Sequence, residues 1–131
     1  MRSRMSAKEK RFLQRARVCR VGSVGPRRTP HTAPLCHAFD VETRTAYVAT
    51  SGVTARNLRA RRRAAIECDD YFEDWSRIRG MVAYATARII RGGRELERAR
   101  SLLKRKFRQY RDYDLDEVIA LRVDKVVSWG L

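Results

Sequence analysis

Six stretches of this chain concentrate apolar and β-branched residues over strand lengths, and the first three follow one another with only turn-length connections. Parallel strands need a crossover of a dozen or more residues, so this spacing points to antiparallel hairpins and away from a parallel α/β fold. The first stretch, Val18 to Val24, ends at the turn signal Gly25-Pro26. In Pro30 to Phe39, His31, Ala33, Leu35, His37 and Phe39 fall on one face and Thr32, Pro34, Cys36 and Ala38 on the other. Its prolines, each lacking a ladder donor, mark an irregular or edge strand. Asp40 to Thr43 reads as a turn, and Thr45 to Thr50 resumes the alternation to complete a hairpin. Ala64 to Asp70, Ile78 to Arg91 and Val118 to Trp129 supply the remaining strands, with Gly92-Gly93 ending the fifth.

Three segments carry a helical pattern instead. Ala7 to Arg17 is amphipathic through Phe12, Leu13 and Ala16, and Ala55 to Arg63 is helix-compatible and rich in arginine. Arg94 to Tyr110 places Leu96, Ala99, Leu102, Leu103 and Phe107 on one stripe, with cations filling the other face. The order is helix, three strands, short helix, two strands, long helix, strand. It predicts a mainly β fold with peripheral helices, an antiparallel barrel closed so that no edge is left free.

A chain of 131 residues reads as one domain spanning 1–131, with residues 1–6 expected to be flexible. No run of eighteen apolar residues occurs, and Met1 to Gln14 lacks the apolar core of a secretory signal, so a soluble, cytoplasmic protein without a membrane partner is expected. Cys19, Cys36 and Cys68 lie in strand segments without C-x-x-C spacing and read as reduced, small apolar residues.

The net charge is +15, and arginine supplies most of the cations. Such a field attracts polyanions, whether nucleic acid, an acidic lipid surface or a phosphorylated small ligand, and does not by itself choose among them. Arg59, Arg61, Arg62 and Arg63 motivate a nucleic-acid-binding module. Against it, no aromatics interleave with those arginines and no reader motif is present.

The segment Thr50 to Arg59 has the composition of a phosphate site: a strand ends in Thr-Ser-Gly, a helix begins, and hydroxyls, free N–H groups, the helix dipole and arginines converge. An ordinary N-capped helix with solvated arginines fits the same residues. His31 reads either as a neighbour of a ligand or as a hydrogen-bonded strand histidine. His31 and His37 are six residues apart, about 20 Å in an extended chain, too far to share one metal, and no metal site is expected. Asp69, Asp70, Glu73 and Asp74 read as a solvated turn pairing with Arg77 and Arg79. No arrangement of a serine or cysteine nucleophile with a histidine is evident, and the catalytic residues are not assigned.

Taken in order, Arg17-Val18-Cys19-Arg20-Val21-Gly22-Ser23-Val24 with Thr29-Pro30-His31-Thr32-Ala33-Pro34-Leu35, Tyr47-Val48-Ala49-Thr50-Ser51 with Arg56-Asn57-Leu58-Arg59, Asp69-Asp70-Tyr71 with Asp74-Trp75-Ser76-Arg77 and Arg79-Gly80, and the closing Val126-Val127-Ser128-Trp129-Gly130 resemble one family. It is that of the pyridoxamine 5′-phosphate oxidase-like split β-barrel proteins, in particular small bacterial members that bind FMN or the deazaflavin F420. The resemblance spans roughly Phe12 to Leu131 and lies in the ordered set of segments.

The resemblance implies a homodimer with the cofactor, FMN or alternatively F420, in a groove between subunits. It implies a flavin-dependent oxidoreductase that passes hydride to or from a small organic substrate, the cofactor carrying the hydride and the protein orienting it. His31, Thr32 and Ala33 would lie along the ring, and Thr50, Ser51, Thr54, Arg56 and Asn57 near the phosphate. Trp75 and Arg79 would approach from the loop before strand five. Thr54 stands where many relatives carry lysine or arginine, which shifts phosphate binding to Arg56 or Arg59 or weakens it. That departure leaves open a barrel that binds or senses a flavin without catalysis.

Overall fold

A computed structural model describes residues 1–131. The first helix, α1 (Ala7–Arg15), leads into β1 (Val18–Val24), β2 (Pro30–Asp40) and β3 (Thr45–Val48). A short helix, α2 (Val53–Ala60), precedes β4 (Arg63–Asp70) and β5 (Arg79–Ile90), and α3 (Gly93–Lys106) precedes β6 (Val118–Trp129). All neighbouring strands are antiparallel, and the order β1-β2-β3-β6-β5-β4 closes on itself through β1 and β4. The mainly β barrel with peripheral helices expected from the strand order is therefore the fold found.

Inward-facing residues of the six strands fill the barrel, among them Cys19, Val21, Ile66, Met81, Ala83 and Val126. A second core lies outside the barrel wall, where Leu96, Ala99 and Leu103 of α3 pack on Ala38, Tyr47, Val118 and Ala120. This is why β3 and the start of β6 are buried on both faces and read as near-continuous apolar runs. Tyr47 and Arg88 both hydrogen-bond Glu95, and Arg98 pairs with the buried Asp40, so polar contacts hold α3 in the same place as its leucines do.

The segment before α1 touches the barrel at Arg2 and Met5. The Arg2 N–H donates to the Val126 carbonyl (2.9 Å), the Val126 N–H donates back to Arg2 (2.7 Å), and Met5 is buried. Ser6 and Glu9 form a reciprocal capping box at the start of α1. The buried Glu9 carboxylate also accepts from Arg2 Nη2 (2.6 Å) and Ser128 Oγ (2.6 Å). At the other end of α1, His37 Nε2–H donates to the Leu13 carbonyl (2.7 Å), and Lys106 Nζ donates to those of Gln14 (3.0 Å) and Ala16 (2.5 Å). With these carbonyls satisfied, the helix stops at Arg15, two residues earlier than its composition suggests. Burial, and secondarily Lys106, pushes His37 down to about 4, so its ring is neutral at physiological pH.

Candidate functional site

Gly52 takes φ +82°, a left-handed conformation, and so turns the chain abruptly from the end of β3 into α2. Having no side chain, it cannot cap the helix, and no other side chain caps it. The first-turn N–H groups of α2 thus face outward at an electropositive end, beside the exposed Ser51 and half-buried Thr50. Arg56, one turn on, is exposed and has no carboxylate partner.

A cavity of about 420 Å³ adjoins this end of the helix, with Val53 and Asn57 on one wall and Thr29, His31 and Arg27 on the other. Arg27 and Arg28 both have φ of 60°. Left-handed backbone at a non-glycine residue costs about 1 kcal/mol, so the β1–β2 turn holds these two arginines at some expense. Composition alone marks Gly25-Pro26 as a turn; that Arg27 would face the same cavity as His31 depends on this backbone conformation and is not legible in residue types. His31 is half-buried and also borders a neighbouring cavity of about 260 Å³ with Thr32, Ser23 and Tyr84. Ala33 lies two residues further along β2, opposite Val21.

Two of the residues expected at the phosphate, Thr54 and Asn57, lie beneath its surface, and Asn57 also lines the His31 cavity. Thr54 is buried against the barrel and Asn57 is buried with its Nδ2 donating to Ser23 Oγ (3.1 Å). The Asn57 amide also packs beside Gly25, so this side chain ties α2 to the end of β1. Asn57→Ala is expected to lower stability by about 1–2 kcal/mol, because a buried hydrogen bond is lost and a small void opens. Chemical denaturation checks this; an unchanged midpoint would rule the tie out.

Arg59 shares Glu117 with Arg91 and faces a third cavity of about 480 Å³, also bordered by Arg62 and Arg88. Glu117 and Glu95 pair with three of those four arginines, two of them sharing Glu117, so the cavity keeps a net positive charge; of the arginine run around α2 only Arg59 has a carboxylate partner.

Trp75 and Arg79 are distant from His31 within one chain. His31 pairs with Ser23 near one end of β1, whereas Arg79 pairs with Asp70 and lies beyond Val18 at the other. Five residues of strand separate these ends, about 17 Å. Trp75 is 74% exposed, and its indole N–H reaches only the Tyr71 hydroxyl (3.2 Å). Arg77, expected to pair with the acidic turn, lies over the Phe72 ring instead (4.5 Å).

The cysteines are free, Cys19 and Cys68 buried and Cys36 half-buried, and burial pushes the Cys19 thiol up to about 12. No helix is long and apolar enough to cross a membrane.

Solved structures share the architecture. A conserved hypothetical protein from Mycobacterium tuberculosis superposes with a TM-score of 0.80 at 18% identity, over 96% of this chain and 85% of that one. An FAD-binding protein from Mesorhizobium loti gives 0.76 at 17% identity, over 95% and 92%. The heme storage protein HutZ of Vibrio cholerae gives 0.77 at 15% identity, over 98% and 94%. At these identities the likeness is one of fold. No curated protein matches the sequence. The sequence profile of pyridoxamine 5′-phosphate oxidase, however, matches residues 5–130, nearly the whole barrel and all three helices, and the chain therefore belongs to that family.

Proposed function

We propose that the protein binds a flavin-type cofactor, FMN or alternatively F420, between two copies of the chain and acts as a flavin-dependent oxidoreductase on a small organic substrate. The observation that carries this reading is the uncapped start of α2, where outward N–H groups, the Thr50 and Ser51 hydroxyls and the unpaired Arg56 adjoin the His31 cavity. Those groups fit a phosphate monoester: all are donors, the helix end is electropositive, and no carboxylate lines the cavity. Thr54 and Asn57 support the locus from beneath, and Arg27 replaces Arg59 as its second cation. His31, Thr32 and Ala33 border the place for a flat ring system.

A bound flavin supplies hydride transfer. The chain's own contribution is to bind, orient and shield. The distance between the His31 group and Trp75 with Arg79 supports a homodimer, because two copies packed together bring opposite barrel ends to one groove. Trp75 is suited to that role as a large, exposed aromatic in a polar loop.

Titration of the purified protein with FMN and then F420, followed by flavin fluorescence, is expected to saturate at about one cofactor per subunit. Arg56→Ala should weaken binding about tenfold or more, by loss of a charge-assisted contact, whereas Arg59→Ala, which removes a Glu117 partner, should change it little. Equal affinity in Arg56→Ala would sink the phosphate assignment. Absence of flavin binding together with a Soret band on addition of heme, the ligand named for the Vibrio cholerae relative, would replace the flavin reading.

A further inference from the structure

We propose that the cavity between α1 and the β4–β5 end of the barrel is a second binding site, specific for a small amphiphilic organic anion. It holds about 470 Å³, within the range of small-molecule sites, and lies at the barrel end remote from His31. The cavity shares Arg79 with the proposed flavin groove, to which a second copy would bring this end of the barrel, and in that one respect the inference rests on that reading.

The walls of the cavity differ in chemistry. Its apolar part comes from Phe12 on α1, Val18 at the start of β1 and Leu131. Lys8, Arg11 and Arg15 recur along one side of α1 at spacings of three and four residues, so they line the cavity as a ladder. None of the three has a carboxylate partner, although the molecule pairs nine other arginines. Here cations stand together around apolar surface.

Arg79 adds a positioned donor. Its Nε donates to Asp70 Oδ2 (2.9 Å), and its guanidinium carbon lies 5.8 Å from the Phe12 ring centre and 6.0 Å from that of Phe72. One carboxylate and two rings restrain the side chain, while its two terminal nitrogens have no partner in the protein. A guanidinium fork held in this way is matched to a planar oxyanion and loses little freedom on binding it. The two carboxylates in the cavity wall are already engaged, Asp70 by Arg79 and Asp69 by Arg20.

These features select the ligand class. A cation is repelled by the five basic residues of the lining, Lys8, Arg11, Arg15, Arg17 and Arg79, and an inorganic anion leaves Phe12, Val18 and Leu131 uncovered. A flat apolar body carrying one carboxylate or phosphate satisfies both parts, its acid on the cations and its body on the apolar wall.

The test is calorimetric titration of the protein, without added flavin, by 2-naphthoate and by its uncharged isostere 2-naphthamide. Naphthoate should bind saturably at about one per chain, and the amide about tenfold or more weaker. Arg11→Glu/Arg15→Glu should weaken naphthoate about tenfold or more, while Arg94→Glu/Arg108→Glu, exposed and remote with the same charge change, should not. Both variants should keep the native melting temperature, because Ser6, Glu9 and Leu13, which cap and anchor α1, are untouched. Equal binding of the amide, undiminished binding in Arg11→Glu/Arg15→Glu, equal loss in the control pair, or no saturation up to about 10 mM would each overturn the proposal. Arg56→Ala should leave naphthoate binding intact, which separates this site from the phosphate locus at the start of α2.

Discussion

Replacing Gly80 with alanine is expected to destabilise the barrel by about 2–4 kcal/mol, far beyond the usual cost of one added methyl group. Gly80 faces Trp129 across the β5–β6 ladder and Asp69 across β4–β5. A methyl there would stand 2.6 Å from the Trp129 ring, 2.9 Å from Asp69 Cβ and 2.9 Å from the Cys68 carbonyl. The indole has some room to turn outward, since Trp129 is 39% exposed, but the Cys68 carbonyl belongs to the β4 backbone and moves only if the ladder moves. Gly92→Ala is the matched control, because nothing lies within 4 Å of its added carbon and its backbone is extended. A fall in Tm of roughly 10 °C is expected for the first and little change for the second. Equal melting temperatures would mean that the indole does not lie over Gly80.

Glu9→Ala has the second large expected effect, about 2–3 kcal/mol, since it removes a buried carboxylate on which Arg2, the Ser6 N–H and Ser128 converge. The same carboxylate gives the fold an acid sensitivity with a defined window. Burial alone would raise its pKa, but the hydrogen bonds from Arg2, Ser128 and Ser6 outweigh that and hold it at about 2, against an ordinary 4.5. A depressed carboxylate stabilises the native state fully above its unfolded pKa, and the contribution drains away as pH falls toward the folded one. Between about pH 4.5 and 2, Glu9 should thus withdraw about 3 kcal/mol, using 1.36 kcal/mol per pKa unit. Denaturant midpoints measured across that range should fall with acid in the native protein, with a shallower slope in Glu9→Ala. Parallel slopes would show that Glu9 is not the group responsible.

What composition and periodicity reveal here is the set of elements, because strands and helices bury one face each and that leaves a period. Val118 to Trp129 is legible from its partial alternation and the apolar run that continues it, and the order of helices and strands needs no tertiary information. The misplaced boundaries have local causes that residue types do not carry: α2 begins at Val53 because Gly52 adopts a left-handed turn, and β3 stops at Val48. Around Met1 to Ser6 the sequence carries one local signal not drawn on above, the capping-box pattern Ser6-x-x-Glu9, while the bridge from Arg2 to Val126 joins segments far apart in sequence.

The site was harder to read for a similar reason. Being near Thr50 in sequence does not tell which side of α2 a residue occupies: Arg56 faces solvent, Thr54 and Asn57 face the barrel, and Arg59 turns to Glu117. The separation of Arg79 from His31 follows from register along β1 and β4, which only the paired structure supplies. The α1 cavity, likewise, joins residues from the first helix, from the ends of β1, β4 and β5, and from Gly130-Leu131 beyond the last strand.

The pairing of β3 with β6 has a kinetic meaning. Thr45 is paired with Arg122, closure requires β1 to meet β4 as well, and β5 meets β6 across α3, so three of the six ladders join partners that are remote along the chain. Each such contact has to overcome the loop entropy of the intervening residues before it is rewarded, and no hairpin can close the barrel by itself. Refolding is accordingly expected on the millisecond-to-second scale of β-barrels, with α3 unable to complete its packing until its landing surface on β2, β3 and β6 has assembled.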